Sequence, residues 1–393
     1  MEKQQIIKIF LEKGYQLDPE VLARLCENEN SAELILGNLA GLKSPMITMD
    51  ALKQVLGESV LSIKAIKQKQ ARLKKIFVEN YTQLLNNRYN FFKKILEMRM
   101  DLVNPISINK ISPKMKKFSL IAAVKEKDES AKSITVEDNT GETNLFFRTQ
   151  SNFDELLVDD VLGFVCKIDD GVVKIEKVIF PDVSLKKEVS KSKEEIFCLF
   201  ISDIFFEDSS FRSGSFQKFL DWLTKSDYSN LIIFILGNVS VDKIKLKEFF
   251  DLLPKKSIKI FQKNEMDADI ECAATKISSP CFMEIEGMVI LVCNDSFLLE
   301  YKKIFNKTID SALLNLLKRR NLNPLVDHKK EIYENDPFLI ETVPDIIVAA
   351  NVFEPTKMNY KSTTILTNGS FTNLPVFWLV NLNNREIIKL DFT

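Results

Sequence analysis

The residues with most to offer chemistry stand just behind the apolar runs of the C-terminal half, where an α/β domain presents its strand ends. In chain order they are Ser202-Asp203-Ile204-Phe205, Gly237-Asn238, Gln262-Lys263-Asn264-Glu265-Met266, Cys293-Asn294-Asp295 and Ala350-Asn351-Val352-Phe353. Carboxylates and amides converging from several strand ends could ligate a cation. A two-metal hydrolase needs more than that: an anionic bridge between its ions, with imidazoles or carboxylates around them. His328 is the only histidine, and it stands in a polar stretch, Asp327-His328-Lys329-Lys330, that reads as an exposed loop. One imidazole cannot furnish an imidazole-based binuclear centre, and no nucleophile elbow or catalytic-cysteine signature accompanies it. Gly237 is not followed by the Gly-Lys-Ser/Thr of a phosphate loop. Glu207, Asp208, Glu265, Asp267, Asp269 and Asp295 could instead gather near Asp203 as an oxygen-rich cleft holding magnesium loosely.

The elements that must position these residues alternate between buried-strand runs and helices. Ile196–Ser202, Leu231–Leu236 and Ile258–Phe261 are continuous apolar runs, the pattern of strands covered on both faces, and helices are expected through Phe216–Leu223 and Leu246–Leu253. Met283–Ile285 and Met288–Val292 flank Glu286-Gly287 as a hairpin, a helix follows over Ile309–Arg319, and further strands are expected at Ile346–Ala350, Thr363–Leu366 and Val376–Asn381. The polar stretch 184–195 separates this region, 196–393, from what precedes it.

Upstream, residues 106–183 carry short alternating runs: Phe118–Lys125, Ser133–Asp138, Thr143–Arg148, Val161–Ile168 and Val172–Phe180, with turns at Asn139–Glu142 and Asp169–Gly171 and a helix near Phe153–Leu157. Five such strands suit a Greek-key barrel of the oligonucleotide-binding type. Barrels of this kind take single strands on exposed aromatics and basic groups; Phe146, Phe147 and Arg148 are candidates, although core packing would use the aromatics equally well. Residues 1–57 show helical spacing: Ile6, Ile7, Phe10 and Leu11 form one face, an Asp18-Pro19 start leads to Val21, Leu22 and Leu25, and a third helix opens at Ser31. Gln4, Ile7, Phe10 and Leu11 also match the spacing of a sliding-clamp-binding peptide, the same residues that make an ordinary helix face.

Between them, 58–105 reads as a basic helical connector, with Lys64, Lys67, Lys69, Arg72, Lys74 and Lys75 set in a solvated linker or helix and a further helix through Tyr89–Met100. Such a run could equally track phosphates as a salt-sensitive arm. The whole chain offers no global field: 54 basic side chains meet 55 acidic ones, so any nucleic-acid contact must be local. None of the cysteines is spaced as C-x-x-C, which argues against zinc and for reduced thiols; Cys198 and Cys293 sit inside apolar runs and are expected to be buried. With no unbroken apolar segment of membrane length and no secretory pattern, the expectation is a soluble, cytoplasmic protein without a membrane role.

Read in order, the strand-end series resembles the calcineurin-like metallophosphoesterases, whose signatures are D-x-H, G-D, G-N-H-D or G-N-H-E, a lone His, and G-H-x-H. A longer resemblance is to the small-subunit family of archaeal family-D DNA polymerases, related to the B subunits of eukaryotic replicative polymerases. It runs through Arg88-Tyr89, Val136–Glu142, Phe180-Pro181-Asp182-Val183, Ser279-Pro280, Leu317-Lys318-Arg319-Arg320-Asn321-Leu322-Asn323-Pro324 and Val343-Pro344-Asp345-Ile346, the last two being the most specific.

This resemblance implies a multidomain α+β chain: a helical N-terminal domain, a five-stranded OB-type β-barrel, and a four-layer calcineurin-like phosphoesterase sandwich. It also implies that the metal site is degenerate. Asp203 and Asn264 remain ligand-capable, but Phe205 stands where the first His belongs, Asn238 where the bridging Asp belongs, Glu265 where the acid-catalyst His belongs, and Asn294, Asn351 and Phe353 where the last His ligands belong. The expected function is that of a non-catalytic accessory subunit with no cofactor. It would hold the large catalytic subunit of a replicative polymerase, meet DNA through that complex and be associated with the nucleoid during replication, with the sliding clamp as a further partner. A 3′–5′ exonuclease with atypical ligands and a free single-strand-binding protein are the alternatives.

Overall fold

Ile6 and Phe10 stand one helical turn apart, which puts both on one face of helix α1 (Lys3–Glu12), and both are buried. Beyond Gly14 the chain forms β1 (Gln16–Leu17), which pairs in parallel with β2 (Met46–Ile47), a contact the helical pattern did not announce. Leu22 N–H donates to the Asp18 carbonyl, and Val21, Leu22 and Leu25 are buried, in line with the expected inward face. These residues belong to the first of two compact units, 1–63 and 64–393. The computed structural model describes residues 3–19, 21–22, 25, 45–48, 61–68, 78–147, 153–206, 208–209, 211–226, 228–263, 267, 269, 271–272, 274–294, 297–325, 333, 336–352 and 355–393. The expected helix at Ser31 lies outside them.

The basic connector is corrected at its start. Ile63–Gln68 is a strand, β3, on the edge of a six-stranded sheet, not a linker or a helix. The lysine content obscured this, yet lysine on an outer strand is what keeps such an edge from pairing with another chain. Helix α2 (Val78–Glu97) follows, starting earlier and ending sooner than the spacing suggested.

The alternating runs form a closed barrel: β4 (Lys117–Asp128), β5 (Ser133–Asp138), β6 (Gly141–Phe146), β7 (Val161–Asp169) and β8 (Val172–Ile179), in the order β4-β5-β6-β8-β7. Leu120, Val136, Leu145, Phe164 and Ile175 fill its interior.

The C-terminal region holds two six-stranded sheets. One has the order β12-β11-β10-β9-β18-β19, from β9 (Phe197–Ser202), β10 (Leu231–Leu236), β11 (Ile258–Gln262), β12 (Thr275–Ile277), β18 (Val376–Asn381) and β19 (Ile387–Asp391). The other has the order β16-β17-β15-β14-β13-β3, from β13 (Cys281–Ile285), β14 (Met288–Cys293), β15 (Ile346–Val352), β16 (Lys357–Tyr360) and β17 (Thr363–Gly369). Leu199 and Ile201 of β9 pack on Phe216, Phe219, Leu246 and Phe249 of helices α3 (Ser213–Lys225) and α4 (Lys243–Leu252). On the second sheet, Leu291, Ile347 and Ile365 pack with Leu298 and Tyr301 of α5 (Phe297–Phe305) and Ala312, Leu313 and Leu316 of α6 (Ile309–Arg319).

The other faces meet each other. Trp378 Nε1 donates to Thr367 O at 2.9 Å, Asn368 Nδ2 to Phe200 O at 2.8 Å and Ser202 Oγ to Gly369 O at 2.9 Å. The layers therefore run helices, sheet, sheet, helices, with the parallel strands β9, β10 and β11 ending on one side. Cys198 and Cys293 are buried, as their runs suggested.

Candidate functional site

Asp203 and Phe205 leave the tip of β9 with left-handed backbones, φ +51° and +46°, and Gly237 leaves β10 at φ +73°. Left-handed conformations are disfavoured for residues with a Cβ, so two within three positions mark a tightly specified turn. The two turns run side by side: Asp203 N–H donates to Leu236 O at 3.1 Å and Phe206 N–H to Val239 O at 2.8 Å. Asp203 is fully buried. Its Oδ1 accepts from Asn238 N at 2.9 Å and from Asn238 Nδ2 at 3.3 Å. A Cβ on Gly237 would lie 2.3 Å from that oxygen, so glycine is required both by the dihedral and by the carboxylate beside it.

A dication pair fits this donor set poorly. Asn238 spends its amide N–H on Asp203 and brings no negative charge, and Phe205 brings no lone pair. Phe205 lines a cavity of about 180 Å³ together with Phe206, Asp208, Asn238, Val239 and Asp267. Of the carboxylates expected to gather there, the three that are described have local partners. Asp267 Oδ1 accepts from Val239 N at 2.9 Å and Ser240 N at 3.1 Å, Asp208 Oδ1 accepts from Ser209 N at 2.8 Å, and Asp269 pairs with Lys276 at 3.4 Å and Lys263 at 3.6 Å. The Lys276 and Lys263 ammonium groups hold the Asp269 carboxyl below its usual range. Among the described residues no group of three or more His, Cys, Asp or Glu is arranged to hold a metal ion. Asn294, just past the end of β14 in the other sheet, is half-buried, its N–H donating to Ser279 Oγ at 3.0 Å. Asn351 lies in β15, and Asn264, Glu265, Asp295, Phe353, Glu207 and His328 lie outside the described residues.

The remaining candidates scatter. Lys64 is exposed on β3, whereas Lys67 donates to Leu339 O at 3.0 Å and pairs with Glu341 at 2.6 Å; Lys69, Arg72, Lys74, Lys75 and Arg148 lie outside the described residues. Phe146 is half-exposed on the barrel wall, but Phe147 turns inward and meets Phe153 edge-on at 5.5 Å. At the N-terminus Gln4, Ile7 and Leu11 line one open surface hollow, whereas Phe10 is 1% exposed and faces away from it into the core.

The landmarks that carry the resemblance are joints. Arg319 of α6 reaches the barrel, its Nε 3.0 Å from Asp160 Oδ1, with its guanidinium between the rings of Phe180 and Phe305. Arg320 ends that helix in a left-handed conformation and donates from Nε to Ile340 O at 2.7 Å; burial lowers its pKa to about 10. Arg88 and Tyr89 diverge from α2: Arg88 pairs with Asp336 at 2.7 Å, and the Tyr89 hydroxyl donates to Ile121 O of the barrel at 3.3 Å. Asp182, at the barrel exit, accepts from Lys361 Nζ at 2.7 Å and from the Tyr360 hydroxyl at 3.1 Å, and Asp345 Oδ2 accepts from Val289 N at 2.8 Å. Asp160 was not singled out in the sequence; its only signal was a carboxylate just before an apolar strand.

No family model matches the chain. Two curated proteins do. The DNA polymerase II small subunit of Archaeoglobus fulgidus is 22% identical, over 98% of this chain and 97% of that protein. The DNA polymerase II small subunit of Thermoplasma acidophilum is 19% identical, over 80% of this chain and 78% of that one. Among solved structures, an archaeal phosphodiesterase superposes with a TM-score of 0.32 and 11% identity over 50% of this chain and 99% of its own. Vacuolar protein sorting 29 of Cryptosporidium parvum gives 0.32 and 12%, over 50% and 98%. Along almost its entire length, this chain is therefore similar to proteins named DNA polymerase II small subunit.

Proposed function

We propose that the protein is the accessory subunit of a replicative DNA polymerase, holding and stabilising the large catalytic subunit and meeting DNA through it. The observation that carries this reading is similarity to named small subunits along 98% of the chain. In the same reading the closed barrel is of the oligonucleotide-binding type and the paired sheets are a calcineurin-like phosphoesterase domain without its metal centre. Phe205 and Asn238 at the strand tips, with Asp203 committed to Asn238, support the loss of hydrolysis. The joints at Arg319, Arg88 and Asp182 support a scaffold role, since they fasten the barrel and the sandwich into one body.

Coexpression with the large polymerase subunit of the same genome tests the proposal: the two chains copurify as a stoichiometric complex, and failure to associate removes the reading. The exonuclease alternative is tested on the purified chain and the complex with manganese and single-stranded DNA. Degradation abolished by Asp203→Ala would establish a nuclease and overturn the non-catalytic assignment.

A further inference from the structure

The barrel carries one row of residues that the strand register aligns across its wall. Phe146 of β6 stands opposite Lys174 of β8, Lys174 opposite Lys167 of β7, and Lys167 opposite Lys117 of β4. All face outward, because their chain neighbours Leu145, Ile175, Cys166 and Phe118 fill the barrel core. Paired strands lie about 4.8 Å apart, so one aromatic residue and three lysines stand on adjacent strands around the wall at that backbone spacing. Exposed Lys114 and Lys116, on the segment entering β4, extend the cationic side.

The face formed by β5 and β6, which barrels of the oligonucleotide-binding type commonly use, has a different character here. Thr135 Oγ1 bonds Asn144 Oδ1 at 3.0 Å, and Glu137 stands opposite Glu142 with Lys125 between them, 2.6 Å from Glu142 and 3.7 Å from Glu137. That face is neutral to acidic.

We propose that single-stranded nucleic acid binds the barrel across β6, β8, β7 and β4, with Phe146 stacking one base and Lys174, Lys167 and Lys117 meeting backbone phosphates. A single strand fits because stacking on Phe146 requires an unpaired base, and cations beside an aromatic are the combination that binds unpaired strands without sequence preference. The lysines are held at present by carboxylates of the same wall: Lys174 by Asp169 at 2.9 Å, Lys167 by Asp169 at 3.8 Å and Lys117 by Glu176 at 2.7 Å. These pairs are half-exposed, so they hold weakly and open to a polyanion. Asp169 is thus a competitor for the site.

The test uses the full chain and a labelled 20-nucleotide oligothymidine, titrated by anisotropy over a range of salt. Lys117→Gln, Lys167→Gln and Lys174→Gln combined lower the slope of log affinity against log salt by about 2, at roughly 0.7 per phosphate released. Phe146→Ala weakens binding about tenfold with the slope unchanged, as expected for a lost stack. Asp169→Asn tightens binding, a gain that a purely structural role for the row would not produce, and Lys125→Gln on the β5–β6 face has no effect. Absence of oligothymidine binding by the unsubstituted chain, equal binding of a duplex, or loss through Lys125→Gln with the triple variant unchanged would each overturn the proposal. Copurification with the polymerase subunit is scored separately, so either conclusion can fail alone.

Discussion

Arg319 and Asp160 form an ion pair almost sealed from solvent, with side chains 2% and 3% exposed, that joins the last turn of helix α6 to the mouth of the barrel. Asp160 Oδ2 also accepts from Leu157 N at 2.9 Å, and Arg319 Nη1 donates to Asn315 O at 3.3 Å, so neither charge is left to desolvation alone. Removing one partner strands the other in the interior, which typically costs ~3–5 kcal/mol. Arg319→Leu should lower stability by that order in urea unfolding. The Arg319→Leu/Asp160→Leu double variant should recover much of it. A single-variant loss below about 1 kcal/mol would contradict the assignment.

Gly237→Ala should destabilise by ~2–3 kcal/mol, combining a left-handed backbone with the clash against Asp203. In an Asp203→Ala background the clash disappears and only the backbone part remains, so the two substitutions should be non-additive by ~1 kcal/mol or more. A thermal-denaturation cycle measures this; strict additivity would mean that the carboxylate does not press on that glycine.

Asp101 links the end of α2 to the barrel, accepting from Arg99 Nε at 3.1 Å and from Lys177 Nζ at 2.9 Å. The Arg99 hydrogen bond, with Lys177 assisting, brings its pKa down to about 2. A carboxyl depressed in the folded state stabilises above its unfolded pKa and loses that contribution as pH falls through the folded value. The contribution is therefore full above about pH 5 and is lost as pH falls through about 2. Solvent screening limits it to ~1 kcal/mol. Asp101→Asn should flatten the acid limb of the stability profile in that window and leave the slope between pH 5 and 8 unchanged.

Strand β3 makes a prediction that a helix or linker would not. Paired with β13 on one side only, it should show protection from amide exchange at alternate residues of Ile63–Gln68. Uniform fast exchange, or protection of every amide, would contradict an edge strand.

Much of this architecture was legible in the sequence. Leu231–Leu236 and Ile309–Arg319 have the bounds their patterns indicated, because a wholly apolar run and a strong helical period each admit one placement. β3 was hidden because Ile63 and Ile66 are outnumbered by polar residues, and edge strands tolerate that composition. The strand-tip residues were found by where apolar runs stop. Their chemistry was only half legible: the identities of Phe205 and Asn238 argue against metal binding, but the bond from Asn238 to Asp203 joins residues that only the parallel pairing of β9 and β10 brings together. Arg319 was singled out as a landmark without a role, since its partner lies 159 residues away.

Arg88 and Tyr89 are neighbours on one helix, yet one is anchored beside the sheets and the other on the barrel wall. Successive helical side chains diverge by about 100°, so α2 works as a spindle with a pin on either side. The barrel and the Asp336 loop are thereby keyed to one shaft, which holds the angle between them.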